Sequence, residues 1–432
     1  MSGVIDVGVV GAGPAGLAAA LAAGELGCEV TLIDAGSGPG GPVYRPGTLF
    51  PGRDRRAAAG PLPPRLARFR QAVRGRHLAA TWVSHAVRDD DGLVTLGVGG
   101  LEGGAETTVV VRAAVLATGA ADVALPFPGW DLPGVTTAGA AWALLTEQGV
   151  TVGRRVVVGG SGPLLLPVAA RLADAGVQVA AVVEAAGELA TFPGGRTAAD
   201  GPAVALARRG VPVRTGHAVI ACHGTGRVEQ AVIARLDRGG RPVPGTRSTE
   251  PVDAVHVSSG LAAELELART LGCAEVPHAW PPAATVACGA SLATSVPGVF
   301  AAGAVTGTSG AAAAELAGEL AGVSAASYLA RLDPAAAAER VRDLRARLGR
   351  VHPPAAPLRP PGPGWLDGLD GSTVVCRCAE TPWSSVAAAL AGGARDLPAL
   401  QAATGGGLGA CQARGCGPVL RYAVSAAGRM RV

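Results

Sequence analysis

The chain of 432 residues contains no lysine and no asparagine, so all 37 of its basic residues are arginine. A phosphate loop of the GxxxxGK type and a Schiff-base enzyme each need a lysine, and both chemistries are therefore excluded. The same bias, together with an excess of alanine, glycine and proline, reads as genome composition rather than as a functional signature. No CxxC pair occurs before residue 370, which excludes a redox disulfide of that spacing. GxSxG, HExxH and the calcium-binding EF-hand loop are missing too. The 7 histidines stand singly, each better read as a packing or surface residue than as a catalyst. The N-terminal MSGVIDVG has no basic segment ahead of its apolar run. The most apolar windows are broken by charge, at Arg171 and Asp174 and again at Glu315 and Glu319. No stretch offers about twenty clean apolar residues, so no membrane span is expected, and a cytoplasmic protein is.

What is present is a globular composition, 49% apolar with a mean hydropathy of +0.34. That is enough for a sizeable core in more than one domain. A net charge of +4 gives no reason to expect a nucleic-acid partner. Eight arginines between Arg53 and Arg76, against the single Asp54, form the clearest basic cluster. It reads as a solvated helix face, or alternatively as a dock for an acidic partner.

The stretch from Val4 to Asp34 organises the chain. An apolar run stops at Gly11-Ala12-Gly13-Pro14-Ala15-Gly16, an Ala/Leu-rich helical pattern follows, and a second apolar run ends on Asp34. Gly11 makes the tight turn, Gly13 lets the backbone approach a pyrophosphate, and Gly16 lets helix and strand pack closely. The unpaired N–H groups and positive dipole end of the helix favour an anion there. Asp34 is placed to accept hydrogen bonds from a ribose. Strand, glycine turn, helix, strand and acid together point to a dinucleotide site.

The glycine- and proline-rich loop after Asp34 brings Gly40, Gly41 and Arg45 toward the same site. A helical pattern from Pro64 to Arg74 leads into alternating segments near 80–86, 93–98 and 107–111, which read as an antiparallel meander. A buried strand, 113–120, then ends in the turn Ala117-Thr118-Gly119. From Arg154 to Glu184 the opening pattern repeats, with a turn at Gly160-Ser161-Gly162-Pro163. This second unit is a poorer match. Leu165 stands where a third glycine or alanine belongs, and Pro167 disturbs the first helical turns. If it binds a nucleotide, Glu184 favours a free ribose 2′-OH, hence NAD(H) or an adenine nucleotide over NADP. Residues 200–260 read as a sheet-rich continuation, Val296–Gly303 as a strand into a glycine turn, and Gly310–Leu329 as a helix. A charged helical pattern, Arg340–Arg350, gives way to a proline-rich linker before a compact tail.

Of the 8 cysteines, Cys28, Cys222, Cys273 and Cys288 are isolated and read as buried small hydrophobes. Cys376, Cys378, Cys411 and Cys416 cluster in the tail as CRC and CQARGC among many glycines. Clustered cysteines in a chain without export signals point to a metal before a disulfide. Zinc usually takes CxxC pairs, which are absent here. Glycine-rich loops suit an iron–sulfur cluster, because bare backbone N–H groups can approach its sulfurs. Zinc remains the rival.

With these residues in view, the chain resembles a known family along nearly its whole length. Gly11–Gly16 with Asp34, the Ala117-Thr118-Gly119 turn followed by PFPGWDLPGV, the turn at Gly160, and VPGVFAAG look like the flavoproteins with two dinucleotide-binding domains. The tail CRCAE…GACQARGCGP is similar to the bacterioferritin-associated-ferredoxin-like domain. In this order, the combination resembles the FAD-containing subunits of opine oxidase, hydroxyproline or proline dehydrogenase and hydrogen cyanide synthase. The resemblance implies FAD at the first unit, held also by Gly303 and residue 304, and a nicotinamide or adenine nucleotide at the second. It implies a 2Fe-2S cluster on Cys376, Cys378, Cys411 and Cys416. It further implies electron transfer in this chain and two partners: a second flavoprotein subunit, which oxidises the amine, and a small ferredoxin-like subunit.

Two positions depart from the family's pattern: Ala304 stands where an aspartate is usual, and Pro42 follows Gly41 where a glutamine is usual. The expected fold is α/β, with two Rossmann-like dinucleotide-binding domains, the second inserted in the first, plus a small helical iron–sulfur domain. The expected boundaries are 1–120 and 285–330 for the first domain, 121–284 for the second, 331–371 for a linker and 372–432 for the tail. Two other functions stay open at this point: a self-contained NADH-dependent reductase, and a flavin-poor scaffold that binds an adenine nucleotide and a partner.

Overall fold

The computed structural model describes residues 3–44, 75–100, 106–189, 201–278, 284–307, 310–351 and 362–429. Arg45, the Pro64–Arg74 pattern and the arginine cluster up to Arg74 lie outside the described residues.

The chain opens with β1 (Ile5–Val10), α1 (Pro14–Glu25), β2 (Val30–Ile33), the single turn α2 (Gly41–Tyr44), β3 (Gly75–Leu78), β4 (Thr81–Arg88), β5 (Val94–Gly100) and β6 (Thr107–Leu116). These strands form one sheet in the order β3-β2-β1-β6-β5-β4. The expected antiparallel meander is present as β4, β5 and β6. It is not a separate sheet, however. β6 pairs antiparallel with β5 up to Val111 and parallel with β1 from Val111 to Leu116. Burial changes with the partner: Thr107–Arg112 is exposed or half-buried except at Val111, whereas residues 113–116 are buried throughout, as a strand covered on both faces must be. The strand expected to run to residue 120 ends at Leu116, ahead of the Thr-Gly turn.

β7 (Ala120–Asp122) carries the chain out of this unit. Then come β8 (Val135–Thr137), α3 (Ala138–Gln148), β9 (Arg155–Gly160), α4 (Leu165–Asp174), β10 (Gln178–Glu184), α5 (Pro202–Arg208) and β11 (Val213–Thr215). β12 (His217–His223), β13 (Gln230–Arg235), β14 (Ser248–Pro251) and β15 (Ala254–Ser258) follow, and β16 (Leu261–Ala263) brings the chain back. β11-β10-β9-β15-β8 is a parallel sheet, and β12-β13-β14 is the antiparallel continuation. β7 and β16 pair antiparallel, Leu261 opposite Asp122. The chain therefore crosses out and back side by side, with the second unit inserted in the first. Pro167 falls in the first turn of α4, where its missing N–H breaks no intrahelical bond. The helix simply begins at Leu165, not directly after the glycine turn as α1 does.

After α6 (Glu266–Thr270), β17 (Glu275–Pro277) and β18 (Ala284–Val286), the chain rejoins the first sheet. β19 (Val299–Ala301) pairs with β6, and α7 (Ala311–Tyr328) lies across α1. Gly318 and Gly322 allow that crossing: a Cβ there would stand 2.0 Å from the Ala15 carbonyl oxygen and 2.3 Å from that of Ala19. Within the stretch read as a linker, α8 (Pro334–Val351) is a helix, and its Leu344, 1% exposed, packs with Leu320 and Val323 of α7. Truncating such a side chain to alanine typically costs about 2–5 kcal/mol, so this segment belongs energetically to the first unit.

The tail consists of a 3-10 turn at Pro363–Gly368, β20 (Val374–Cys376), β21 (Thr381–Pro382), α9 (Trp383–Ala391), α10 (Leu397–Thr404) and α11 (Gly417–Arg429). Its own core is built on Leu400, Leu420 and Tyr422. Among the described residues, no helix is long and apolar enough to cross a membrane.

Candidate functional site

The first glycine turn has the geometry its sequence demands. Gly11 sits at φ +101°, and a Cβ there would meet the Ala117 carbonyl oxygen at 2.2 Å. At Gly16 a Cβ would stand 1.7 Å from the Gly11 oxygen, so helix and turn are in backbone contact. Gly13 differs. It caps α1 in extended conformation, Pro14 follows at the first helical position, and none of the described residues comes within 4 Å of where its Cβ would be. The start of α1 thus opens onto free space, and its first N–H groups lack intrahelical partners, which makes it a receptive place for phosphate. Asp34 accepts the Ala12 N–H at 2.6 Å and the Gly36 N–H at 2.7 Å. The loop behind it folds over the turn: Gly40 N–H donates to the Ala12 carbonyl at 2.8 Å, and Gly41, at φ +58°, approaches the Gly13 Cα.

Two further turns border this opening. Gly119 has φ +83° and open space at its Cβ position. The Thr118 hydroxyl donates to the Glu264 carbonyl at 2.7 Å, and the Glu264 N–H donates to the Gly119 carbonyl at 3.1 Å. Gly303, at φ +82°, follows β19, and a Cβ there would press on Ala15 Cβ at 2.8 Å. Ala304 is half-buried in the 3-10 turn Gly303–Thr306.

The second turn repeats the first. Gly160, at φ +132°, is closed against the Ser258 carbonyl, and Gly162 has φ +124°. Glu184 accepts the Gly162 N–H at 3.1 Å and the Ala186 N–H at 2.9 Å. Only 1% exposed, its carboxyl is raised above the ordinary value by burial, against the bonds from Ser161, Ala186 and Gly162.

In the tail, Cys376 and Cys416 are buried, Cys411 is half-buried and Cys378 is exposed. The thiols stand near one another in two pairs, Cys376 with Cys416 and Cys378 with Cys411. The Gly407 N–H donates to Cys376 Sγ at 3.4 Å. Gln412 and Ala413 both take positive φ, +50° and +64°. That path turns the backbone N–H groups of Gly415, Ala413 and Arg414 toward the Cys411 sulfur, and they pull its thiol below the ordinary value. Burial pushes Cys416 the other way, to about 12. The chemistry of this donor set suits a thiolate-held cluster whose sulfurs accept backbone N–H bonds. Among the described residues no three His, Cys, Asp or Glu side chains close around a single metal ion.

Cys28, Cys222 and Cys273 are buried and Cys288 is half-buried, with burial raising all four thiols. The expectation that they are inert packing residues fits this.

The structure adds polar groups that no sequence pattern marks. Asp122 on β7 is held by the Gly139 N–H and by the Ser258 hydroxyl at 2.7 Å, with burial raising its carboxyl. His256 is fully buried on β15 beside the Thr136 hydroxyl at 2.8 Å, and burial lowers it to about 4. It is a neutral packing histidine. Glu264 and Glu266 meet Arg414 of the cysteine loop, and burial followed by the Glu266 charge lifts Glu264 to about 7. These groups are far apart in sequence, and only the arginines beside the cysteines offered any signal.

Two glycine turns, each tied to an acid at the end of the following strand, belong to the dinucleotide-binding α/β fold of a flavoprotein. Residues 5–330 match the pyridine nucleotide-disulphide oxidoreductase family, and the chain belongs to it. It is an FAD-dependent oxidoreductase. Hydrogen cyanide synthase subunit HcnB of Pseudomonas aeruginosa is 30% identical over 427 residues, covering 94% of this chain and 90% of that protein. An opine oxidase subunit of Agrobacterium tumefaciens is 30% identical over 438 residues, covering 96% and 84%. The fold is shared with L-proline dehydrogenase from P. horikoshii, at a TM-score of 0.71 and 20% identity over 98% of this chain and 74% of that one. Membership brings no redox disulfide of the CxxC type, since the chain has no such pair.

Proposed function

We propose that the chain is the FAD- and 2Fe-2S-containing electron-transfer subunit of a heteromeric amino-acid or opine dehydrogenase, of the proline or hydroxyproline type. The observation that carries this reading is the glycine-rich tail that holds Cys376, Cys378, Cys411 and Cys416, with the Gly407 N–H donating to Cys376 Sγ at 3.4 Å. When bound, FAD would exchange electron pairs and the cluster single electrons. On this reading Gly11, Gly13, Pro14, Ala15 and Gly16 receive the pyrophosphate and Asp34 the ribose. Gly41, Arg45, Thr118, Gly119, Gly303 and Ala304 border the rest of the flavin, and the four tail cysteines hold the cluster. The amine is oxidised on a second flavoprotein subunit. The names of the relatives, subunits of hydrogen cyanide synthase and of opine oxidase, support that division of labour. The test is an absorbance spectrum with flavin, iron and sulfide analysis of the chain purified without oxygen. Flavin with about two iron and two sulfide per chain is expected; one zinc and no sulfide would overturn the cluster.

A second reading, a self-contained NADH-dependent reductase, is favoured by Glu184, which supports its turn as Asp34 supports the first. On it Gly160, Gly162 and Glu184 hold NAD(H). Bleaching of the flavin by NADH in the isolated chain would support this reading, and no bleaching would sink it.

A further inference from the structure

Each cysteine pair carries one arginine between its members, and both arginines reach out of the tail. Arg377, between Cys376 and Cys378, lies over the Trp130 ring with its guanidinium carbon 4.1 Å from the centroid, and it also donates to the Trp130 carbonyl. Trp130 donates in return to the Val374 carbonyl at 2.6 Å. This contact fixes the first pair to the segment leading into the second unit. Arg414, between Cys411 and Cys416, takes the other direction. Its Nε donates to Glu266 Oε1 at 3.2 Å and stands 3.7 Å from Glu264 Oε2. The Glu264 backbone is in turn bonded on both sides of the Thr118–Gly119 turn. The path from the Cys411–Cys416 loop to that turn is therefore one side-chain contact and one pair of backbone-anchored bonds. With Arg414 56% exposed, such a pair adds little to overall stability. What two carboxyl groups converging on one cation do supply is register.

We propose that Arg414 is a positioning residue that holds the Cys411–Cys416 loop against the Thr118–Gly119 turn and so sets the gap across which electrons pass between the flavin and the cysteine-held centre. This rests on the reading of the four cysteines as cluster ligands. Arg414 touches neither cofactor and acts through the loop it belongs to.

The test compares wild type with Arg414→Ala and Arg414→Lys in two measurements. Amide hydrogen exchange on the cofactor-free chain should speed up by about two- to fivefold over residues 405–416 in Arg414→Ala, the scale of losing a partly exposed charge pair. It should return toward wild type in Arg414→Lys. In loaded protein, cluster reduction after flash photoreduction of the flavin should slow in Arg414→Ala and recover in Arg414→Lys, with flavin, iron and sulfide contents equal in all three. Wild-type transfer in Arg414→Ala at equal cofactor content, or unchanged exchange, would overturn the proposal. A wild-type chain without iron and sulfide would instead remove the cluster reading, and the exchange result would still decide whether Arg414 ties the loop down.

Discussion

Asp34 Oδ2 accepts the Ala12 N–H at 2.6 Å, which ties the acid at the end of β2 to the middle of the glycine turn after β1. Glu184 repeats the arrangement on Gly162 in the second unit. The acid thus shapes the turn before it meets any ribose, and a carboxylate has acceptor capacity enough to serve a ligand hydroxyl as well. Glycines and acid act as one device, and their substitutions separate its parts.

Gly13→Ala and Gly16→Ala should behave differently although they stand three residues apart. A methyl at Gly16 runs into the Gly11 carbonyl oxygen and should cost about 1–3 kcal/mol of stability by overpacking. A methyl at Gly13 meets no atom of the described residues. Gly13→Ala should melt like wild type without flavin and yet retain little FAD. Thermal melts of the apo forms with flavin titrations check both, and full flavin retention by Gly13→Ala would show that no phosphate sits there.

Cys411→Ser should strip the tail of iron and sulfide while leaving bound flavin in place, because the tail has a core of its own. Metal, sulfide and flavin assays on one preparation decide this, and flavin lost together with iron would count against it.

On the proposed flavin placement, Ala304 cannot accept the hydrogen bond that an aspartate at its position would make to the flavin's polyol. A charge-assisted bond of that kind is worth about 1.5–3 kcal/mol, or roughly one to two decades in Kd. The chain should therefore purify with less than full FAD occupancy, and Ala304→Asp should tighten binding. Equal, tight titrations of the two forms would show that another group already fills the role.

The buried carboxyl of Glu184 keeps its proton to higher pH in the folded chain than in the unfolded one, where its ordinary value is 4.5. Between those two values the folded state binds more protons, so this group's contribution to stability falls as pH rises. Glu184→Gln has no proton to lose. The difference in urea midpoint between the variant and wild type should shift in favour of the variant as pH climbs from about 4.5. A pH-independent difference would mean that Glu184 is charged throughout.

The isolated chain should not oxidise proline, hydroxyproline or opines with an artificial acceptor, and turnover should require a partner flavoprotein. Among the described residues His256 is fully buried in the core, out of reach of a substrate's proton. Steady turnover by the chain alone would refute this.

The sequence by itself determined the turns, the acids after them and the long helices, because each depends on neighbours in the chain. Gly11 must reach φ +101°, Gly160 +132°, and only glycine does so without strain. The Ala-rich runs of α1 and α7 are helical from their own propensity. The double life of β6, antiparallel at one end and parallel at the other, was not legible, since pairing partners are chosen by burial across the whole sheet. Nor did the prolines and charges of 331–371 disclose that Leu344 would dock on α7. Only the tertiary structure brought Arg414 to Glu264 and Glu266, and Arg377 to Trp130. Those contacts join residues more than a hundred positions apart, and no local conformational preference encodes a meeting that packing alone arranges.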